Sequence, residues 1–152
     1  MPTGVEIETA SDAALSHERQ PRVLLADDNV AARRLIAALI RQMGFDVQIA
    51  ANGEEAMASV RDTGYDLIVL DIDMPEIDGL ETARRIRAMN ELGNGARIVA
   101  MSGYLNEFTD APDWSDLFDA TMPKPVTRFR LQEVLFGVLH KNASHCAYSP
   151  AS

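Results

Sequence analysis

The sequence contains a single cysteine, Cys146, in a chain of 152 residues. One cysteine cannot form a disulfide within the chain, so a disulfide-stabilised fold is excluded. His145 stands beside it, but no second cysteine or further ligand cluster accompanies the pair, as a structural zinc site would require. We therefore interpret Cys146 as an ordinary thiol in the C-terminal tail.

Long hydrophobic runs are also missing. The longest purely apolar run is Leu35–Ile40, far shorter than the roughly 18 residues that a membrane-spanning helix needs. Residues 1–20 hold acidic side chains and no apolar stretch, unlike a secretory signal. From these absences we expect a cytoplasmic protein that is not inserted in a membrane.

Basic residues are scarce relative to acidic ones. The chain has 14 Lys and Arg against 23 Asp and Glu, which gives a formal net charge of -9. Such an excess of negative charge opposes non-specific attraction to the phosphates of nucleic acids. We therefore expect no direct nucleic-acid partner.

Length and composition predict one folded domain. Hydrophobic residues make up 47% of the chain and charged residues 24%, as in ordinary globular proteins. We predict a flexible N-terminal arm at residues 1–20, a folded domain at residues 21–141 and a disordered C-terminal tail at residues 142–152. A short helix over Ala10–Arg19 is an alternative for part of the arm.

Five short β-prone runs alternate with helical patterns along the predicted domain. The predicted strands are Val23–Ala26, the alternating residues Phe45, Val47 and Ile49, then Leu67–Leu70, Ile98–Met101 and Ala120–Met122. Because Leu67–Leu70 is apolar throughout, we expect it to be the central strand, covered on both faces.

A helical pattern follows each predicted strand. The first contains Val30, Leu35 and Leu39 and stops at Gly44, and the next two are predicted at Glu54–Arg61 and Leu80–Met89. The fourth region is predicted as a short helix at Leu105–Asp110 with a turn near Trp114–Phe118. The last helix is predicted from Thr127 as N-cap to about Lys141, with an apolar side formed by Phe129, Val134, Leu135, Val138 and Leu139. Pro112 should interrupt the fourth region. We interpret Arg84, Arg85 and Arg87 as a solvated face of the third helix.

This alternation predicts an α/β fold, a doubly wound five-stranded parallel sheet with helices on both faces. In such sheets ligands bind at the carboxyl ends of the strands. Polar residues stand at these ends of four predicted strands, namely Asp27 with Asp28, Asp71, Ser102 and Lys124. We expect them to converge at one edge of the sheet.

Converging carboxylates repel one another unless they share protons, face solvent or hold a cation. Mg²⁺ prefers oxygen ligands and is often held by one or two carboxylates together with a phosphate. Lys124 and Ser102 suit phosphoryl oxygens, and an aspartyl carboxylate such as Asp71 can accept a phosphoryl group as an acyl phosphate. Taken singly, each residue has an ordinary explanation as a helix cap, a turn residue or an exposed lysine. Their combination favours a magnesium and phosphoryl site.

The chain from about Arg22 to Lys141 resembles a receiver domain of the two-component response-regulator family, of the single-domain type similar to chemotaxis regulators. The matching motifs are Leu24-Leu25-Ala26-Asp27-Asp28-Asn29, Leu67-Ile68-Val69-Leu70-Asp71-Ile72-Asp73-Met74-Pro75 with Asp78-Gly79, Met101-Ser102-Gly103 and Lys124-Pro125. The resemblance implies a flavodoxin-like (βα)5 fold.

The resemblance also implies a role for each matching residue. Asp71 would be the phosphoacceptor. Mg²⁺ would be bound directly by Asp28 and Asp71, through water by Asp27, and by the backbone carbonyl of Asp73. Ser102 would bond the phosphoryl group, and Lys124 would pair with it beside a cis Lys124-Pro125 peptide.

The sequence departs from the family at two places. Thr121 stands where the family usually has an aromatic residue that moves inward on phosphorylation, so the resemblance does not carry the usual aromatic switch over to this chain. Pro112 and its neighbours alter the segment that forms the fourth helix of the family, and we interpret Trp114 there as a packing residue. Asp73 and Tyr104 flank the site, at positions that in the family tune the lifetime of the phosphoryl group.

We therefore expect a stand-alone response regulator. It would take a phosphoryl group from a phosphohistidine of a histidine kinase or histidine phosphotransfer protein, with Mg²⁺, and then switch its contacts with a downstream protein target. It would catalyse only its own phosphorylation and dephosphorylation, and so would not be an enzyme in the ordinary sense.

Three alternatives stay open at this point. The chain could be a receiver module cut from a hybrid histidine kinase, or an interaction module that is never phosphorylated. A phosphohydrolase of the haloacid dehalogenase type also has an Asp-x-Asp motif, which Asp71-Ile72-Asp73 resembles. The order of motifs argues against it, because the acidic pair precedes the nucleophile strand and Pro75 stands where a threonine is expected.

Overall fold

The structure, a computed structural model, describes residues 20–89, 95–103 and 110–148. The predicted arm up to residue 19, Tyr104, residues 105–109 of the predicted short helix and the tail from residue 149 lie outside the described residues.

Strands and helices alternate through the described part of the chain. The strands are β1 (Arg22–Ala26), β2 (Asp46–Ala50), β3 (Leu67–Asp71), β4 (Arg97–Ser102) and β5 (Ala120–Pro123). The helices are α1 (Val30–Gln42), α2 (Gly53–Asp62), α3 (Gly79–Arg87), α4 (Trp114–Leu117) and α5 (Arg128–Tyr148).

The five strands form one parallel sheet in the order β2-β1-β3-β4-β5. The strand order therefore reverses between β1 and β3. In register, Ala26 of β1 lies opposite Leu70 of β3, and Asp71 lies opposite Met101 of β4. The predicted doubly wound parallel sheet is confirmed, with β3 at its centre.

The core lies on both faces of the sheet. Every residue of β3 is buried. Alternate strand residues pack on opposite sides, since Ile68 and Leu70 face the cluster that includes α2 and α3, whereas Leu67 and Val69 face the cluster that includes α1 and α5. Burial on both faces explains why this strand is apolar from Leu67 to Leu70, and the strand places Asp71 at its end.

Side-chain caps define where the helices begin. The side chains of Asn29, Asn52 and Asp78 each accept a hydrogen bond from the backbone N–H three residues later, at 2.9, 2.8 and 2.9 Å. Thr127 does the same for α5, as predicted, with 3.2 Å between its Oγ1 and the nitrogen of Arg130. Asn29 and Asp78 thereby fix the two loops that carry the acidic residues of the candidate site.

The inward faces of α1 and β2 differ from the simple apolar pattern. Val30 and Leu35 are 52% and 58% exposed, whereas Ile36 and Ile40 are buried. Ile49, predicted to alternate inward, is 42% exposed on the edge strand β2, although Val47 on the same face of that strand is buried. The helix and the strand were predicted correctly, but not all of their buried residues.

The structure also corrects the predicted apolar side of α5. Phe129 is 73% exposed, while Leu131, Leu135 and Val138 are buried. Because successive helical residues are about 100° apart, Phe129 points well away from a face centred on Leu131.

Helix α5 continues to Tyr148, beyond the predicted end near Lys141. Residues 142–148 are therefore helical, and the predicted disordered tail is wrong for them. The other predicted domain bounds stay predictions.

The arginines of α3 are not all solvated. Arg87 is 19% exposed, and its Nη2 lies 2.7 Å from the carbonyl oxygen of Leu117 and 3.2 Å from Asp119 Oδ2. Arg84 forms a bidentate ion pair with Asp113, with N to O distances of 2.7 and 3.0 Å. The predicted solvated face is wrong for Arg87, which ties α3 to the segment before β5.

None of the described helices combines the length and the apolar composition that crossing a bilayer requires.

Candidate functional site

The polar ends of four parallel strands meet at one edge of the sheet. Asp27 and Asp28 follow β1, Asp71 ends β3, Ser102 ends β4, and Lys124 follows β5. Ser102 lies opposite Pro123 in the β4–β5 register, which places Ser102 and the next residue, Lys124, at nearly the same level along the strands. The structure brings together all five residues that the sequence predicted to converge.

Three carboxylates form the centre of the site. One oxygen from each of Asp27, Asp28 and Asp71 lies within 4.8 Å of the others. Asp27 and Asp71 are 0% and 1% exposed, whereas Asp28 is exposed. The cluster is therefore buried on the side of the sheet and open to solvent beside Asp28.

Asp27 has one satisfied and one unsatisfied oxygen. Its Oδ1 accepts the backbone N–H of Asn29 at 2.9 Å. Its buried Oδ2 has no hydrogen-bond partner within the part of the chain that the structure describes, although Lys124 Nζ lies 3.9 Å away. An unsatisfied buried carboxylate oxygen is costly, and a bound cation would satisfy it.

The geometry of the acidic turn depends on Arg33, which the sequence analysis did not single out. Arg33 Nη1 donates a hydrogen bond of 2.8 Å to the backbone carbonyl of Asp27. A sequence signal for Arg33 was available, because it lies one helical turn after the N-cap Asn29 and therefore on the same side of α1 as the cap. Arg33 thus holds the backbone from which the acidic pair projects.

Lys124 contacts the central carboxylate directly. Its Nζ lies 2.9 Å from Asp71 Oδ1, which also accepts the backbone N–H of Asp73 at 3.0 Å. The Lys124-Pro125 peptide is cis, as expected, and the Lys124 N–H donates to the carbonyl of Ser102 at 3.1 Å. The lysine is therefore held by both its backbone and its ammonium group.

Burial and charge shift the pKa values of this pair. Burial raises the pKa of Asp71, and the nearby charge of Asp27 raises it further, against the opposing hydrogen bond from Lys124. Burial alone would lower the pKa of Lys124, but its hydrogen bond and charge interaction with Asp71 outweigh that effect and raise it. The lysine is therefore positively charged at neutral pH.

The loop after β3 packs tightly against Asp71. The N–H of Gly79 donates to the carbonyl of Ile72 at 3.0 Å. A Cβ at position 79 would lie 2.7 Å from Ile72 Cα and would also meet the backbone of Asp71, so only glycine fits there. This close approach fixes the backbone beneath the carboxylate.

Ser102 and Asp73 are bonded to each other. Ser102 is 0% exposed, and its Oγ donates a hydrogen bond of 2.9 Å to Asp73 Oδ2. The sequence predicted that both residues flank the same site, but the contact between them joins segments 29 residues apart and has no sequence signal.

Two further predicted positions have different outcomes. Thr121 is half-buried on β5, opposite Ala100, so the described site has no aromatic side chain at this position. Tyr104 lies outside the described residues.

The carboxylates fit a hard divalent cation. Their ligand atoms are all oxygens, two of the groups are buried, and Asp28 leaves one side open for water, which matches the preferences of Mg²⁺. Asp27, Asp28 and Asp71 are the residues that could hold such an ion.

An apolar hollow adjoins the site. It has a volume of about 430 Å³ and lies between the start of α1 and the loop after β5. Its lining residues are Asn29, Ala32, Leu35, Ile36, Lys124, Pro125 and Val126. The exposed side chain of Leu35 therefore stands next to the lysine of the site.

Comparison with known proteins gives consistent matches. The family model described as "Response regulator receiver domain" matches residues 23–136. The transcriptional regulatory protein TrcR of Mycobacterium tuberculosis is 33% identical over 122 residues, which cover 80% of this chain and 46% of that protein. The autoinducer 1 sensor kinase/phosphatase LuxN of Vibrio campbellii is 33% identical over 131 residues, 86% of this chain and 15% of LuxN.

Solved structures agree with these sequence matches. The response regulator TrrA of Thermotoga maritima, in complex with Mg²⁺ and BeF, is 32% identical, with a TM-score of 0.71 over 79% of this chain and 100% of that one. The chain spans less than half the length of the curated relatives described above. Because the family model matches residues 23–136, the chain belongs to the response regulator receiver domain family.

Proposed function

We propose that the chain accepts a phosphoryl group on Asp71 from a phosphohistidine of a histidine kinase or histidine phosphotransfer protein, in a Mg²⁺-dependent reaction. The observation that carries the proposal is the position of Asp71, buried between Lys124 and the carboxylates of Asp27 and Asp28. Membership of the receiver family supports it, because receivers act as signalling modules.

The proposed transfer is a direct displacement. A carboxylate oxygen of Asp71 attacks the phosphorus, a P–O bond forms as the P–N bond of the phosphohistidine breaks, and the electron pair stays on the imidazole, which takes up a proton. The Lys124 ammonium, 2.9 Å from Asp71 Oδ1, is placed to neutralise charge on the phosphoryl oxygens. The product is an acyl phosphate on Asp71.

Asp28 and Asp71 are the proposed direct ligands of Mg²⁺, together with the backbone carbonyl of Asp73, and Asp27 is proposed to act through a water molecule. When bound, Mg²⁺ would offset negative charge on the transferring group. The unsatisfied Oδ2 of Asp27 and the all-oxygen donor set support this assignment.

The proposed output is a change in protein contacts. Ser102 and Lys124 end β4 and follow β5, so their movement toward new phosphoryl oxygens would shift the loops at this edge. To change the ratio of active to inactive conformation from 1:99 to 99:1, the phosphoryl group must favour the active conformation by about 5.5 kcal/mol, and a smaller change needs less. Thr121 in place of an aromatic residue means that any switch here works without a moving ring at that position.

The test is incubation with acetyl phosphate and Mg²⁺, followed by intact mass measurement. We expect one added phosphoryl group on the natural chain, none on Asp71→Asn, and none when the metal is removed with a chelator. Asp66→Asn is a control with the same change of charge, because Asp66 accepts a hydrogen bond from Arg22 at the opposite end of β1. Equal labelling of the natural chain and Asp71→Asn would contradict the proposal.

The same preparation distinguishes a receiver from a phosphohydrolase. We propose that the chain does not turn over external phosphomonoesters. In a haloacid dehalogenase the second aspartate of the Asp-x-Asp motif acts as acid or base. Steady-state hydrolysis of p-nitrophenyl phosphate by the natural chain that is lost in Asp73→Asn would therefore contradict the receiver assignment of Asp71.

A further inference from the structure

The hydrogen bond between Ser102 and Asp73 joins two residues of the proposed site in its unphosphorylated form. Ser102 Oγ lies 2.9 Å from Asp73 Oδ2. The serine is completely buried at the end of β4, while Asp73 is exposed in the loop after Asp71. The acceptor is a carboxylate, which makes the bond stronger than one between neutral groups.

The serine hydroxyl carries a single proton, so it can make one strong donor bond at a time. A phosphoryl group on Asp71 would present its own charged oxygens two residues from Asp73. The hydroxyl cannot donate to Asp73 Oδ2 and to a phosphoryl oxygen together. The two acceptors therefore compete for one proton.

We infer that the Asp73 carboxylate is a latch that holds Ser102 in the unphosphorylated position and must be displaced when the phosphoryl group arrives. The inference rests on the proposed function, because it assumes that Asp71 becomes phosphorylated. Asp73 acts through Ser102 and is thus a positioning residue, one whose side chain opposes the phosphorylated form.

The backbone of Asp73 has a separate role that side-chain substitution preserves. Its N–H donates to Asp71 Oδ1 at 3.0 Å, and every replacement other than proline keeps this N–H. Replacing the exposed side chain should therefore remove the latch without disturbing the carboxylate of Asp71.

Removing the Asp73 carboxylate also removes a negative charge near the phosphoryl group, and this alone would strengthen anion binding. The two effects separate in a double-mutant cycle, since the charge effect persists without the serine hydroxyl whereas the latch does not. The required variants are Asp73→Ala, Ser102→Ala and the double substitution.

The experiment measures beryllofluoride binding, as a phosphoryl mimic, by ¹⁹F NMR with saturating Mg²⁺. We expect Asp73→Ala to tighten binding about ten-fold when Ser102 is present, as expected for release of a charge-assisted hydrogen bond. In the Ser102→Ala background the same substitution should tighten binding by clearly less. Asp73→Asn, which keeps an acceptor but loses the charge, should fall between Asp73→Ala and the natural chain.

Equal tightening in both serine backgrounds would overturn the latch and leave only a charge effect. Weaker binding in Asp73→Ala would overturn it as well. A natural chain that binds no beryllofluoride would instead overturn the proposed function, and with it the latch.

Discussion

At the scale of single residues, the site depends on groups that orient the acidic side chains as much as on those side chains. Arg33 bonds the carbonyl of Asp27 at 2.8 Å, whereas its neighbour Arg34 is exposed and carries the same charge. This pair allows orientation to be separated from charge.

Arg33→Ala should weaken Mg²⁺ binding about ten-fold, at the lower end of what groups that orient metal ligands contribute. Arg34→Ala should change it by less than about two-fold, because an exposed charge is screened by salt. Isothermal titration with Mg²⁺ measures both. Equal effects of the two substitutions would contradict a role of the Arg33 hydrogen bond in orienting the metal ligands.

The residues of the acidic centre could be predicted from sequence because parallel strands deliver their carboxyl ends to one edge. The convergence of Asp71 and Lys124 could be predicted from that rule and from the order of the strands along the chain. The Ser102–Asp73 bond could not be predicted, because it depends on side-chain orientations across two loops. Arg33 was detectable in principle, from its helical spacing after Asn29.

At the scale of elements, the arginines of α3 connect this helix to the rest of the fold to different degrees. Arg87 bonds the carbonyl of Leu117 and pairs with Asp119, and it is mostly buried. Arg85 is 51% exposed and pairs only with Glu81 on its own helix among the described contacts.

Arg87→Ala should lower the free energy of unfolding by about 2 kcal/mol, because it leaves buried acceptors without their donor. Arg85→Ala should change it by no more than about 0.5 kcal/mol, as surface substitutions generally do. Urea denaturation of both variants provides the measurement. Similar losses in the two variants would mean that the Arg87 contacts add little.

The ion pair between Arg84 and Asp113 joins α3 to the short helix α4 and should make stability depend on pH. The Arg84 hydrogen bonds lower the pKa of Asp113. A lowered folded-state pKa stabilises the fold above the unfolded-state value, near 3.9 for an aspartate, and this stabilisation is lost as pH falls through the folded-state value. We expect Asp113→Asn to have a lower Tm than the natural chain at neutral pH, with the difference shrinking below about pH 4. A Tm difference that stays constant down to pH 3 would contradict this role.

Element types could be predicted from periodicity, whereas several buried faces could not. Leu131 and Leu135 of α5 are buried and Phe129 is not, although all three are strongly apolar. The direction from which the sheet approaches a helix decides its buried face, and that direction is set by strand order. The end of α5 was missed for a different reason, because the polar residues that follow Leu139 interrupt the apolar pattern although the helix continues to Tyr148.

At the scale of the whole molecule, the proposed phosphoryl acceptor lies beside an apolar surface. Leu35 is 58% exposed and lines the hollow of about 430 Å³ next to Lys124. An exposed apolar surface adjoining a charged site is typical of a protein interaction site. We therefore expect the phosphohistidine donor to dock here.

Leu35→Ser should slow phosphoryl transfer from a phosphorylated histidine phosphotransfer protein more than transfer from acetyl phosphate, because the small donor needs no docking surface. Rapid-quench labelling with each donor gives the ratio of the two rates. An unchanged ratio would contradict docking at this hollow.

The central claim is that Asp71, and no other carboxylate of the cluster, becomes an acyl phosphate. The most direct measurement is to phosphorylate the chain with acetyl phosphate and Mg²⁺, reduce it with sodium borohydride, and map the peptides by tandem mass spectrometry. Borohydride reduces an aspartyl phosphate to homoserine and releases phosphate. We expect homoserine at position 71 alone; homoserine at position 27, 28 or 73, or at no position in a chain that acetyl phosphate had labelled, would contradict the claim.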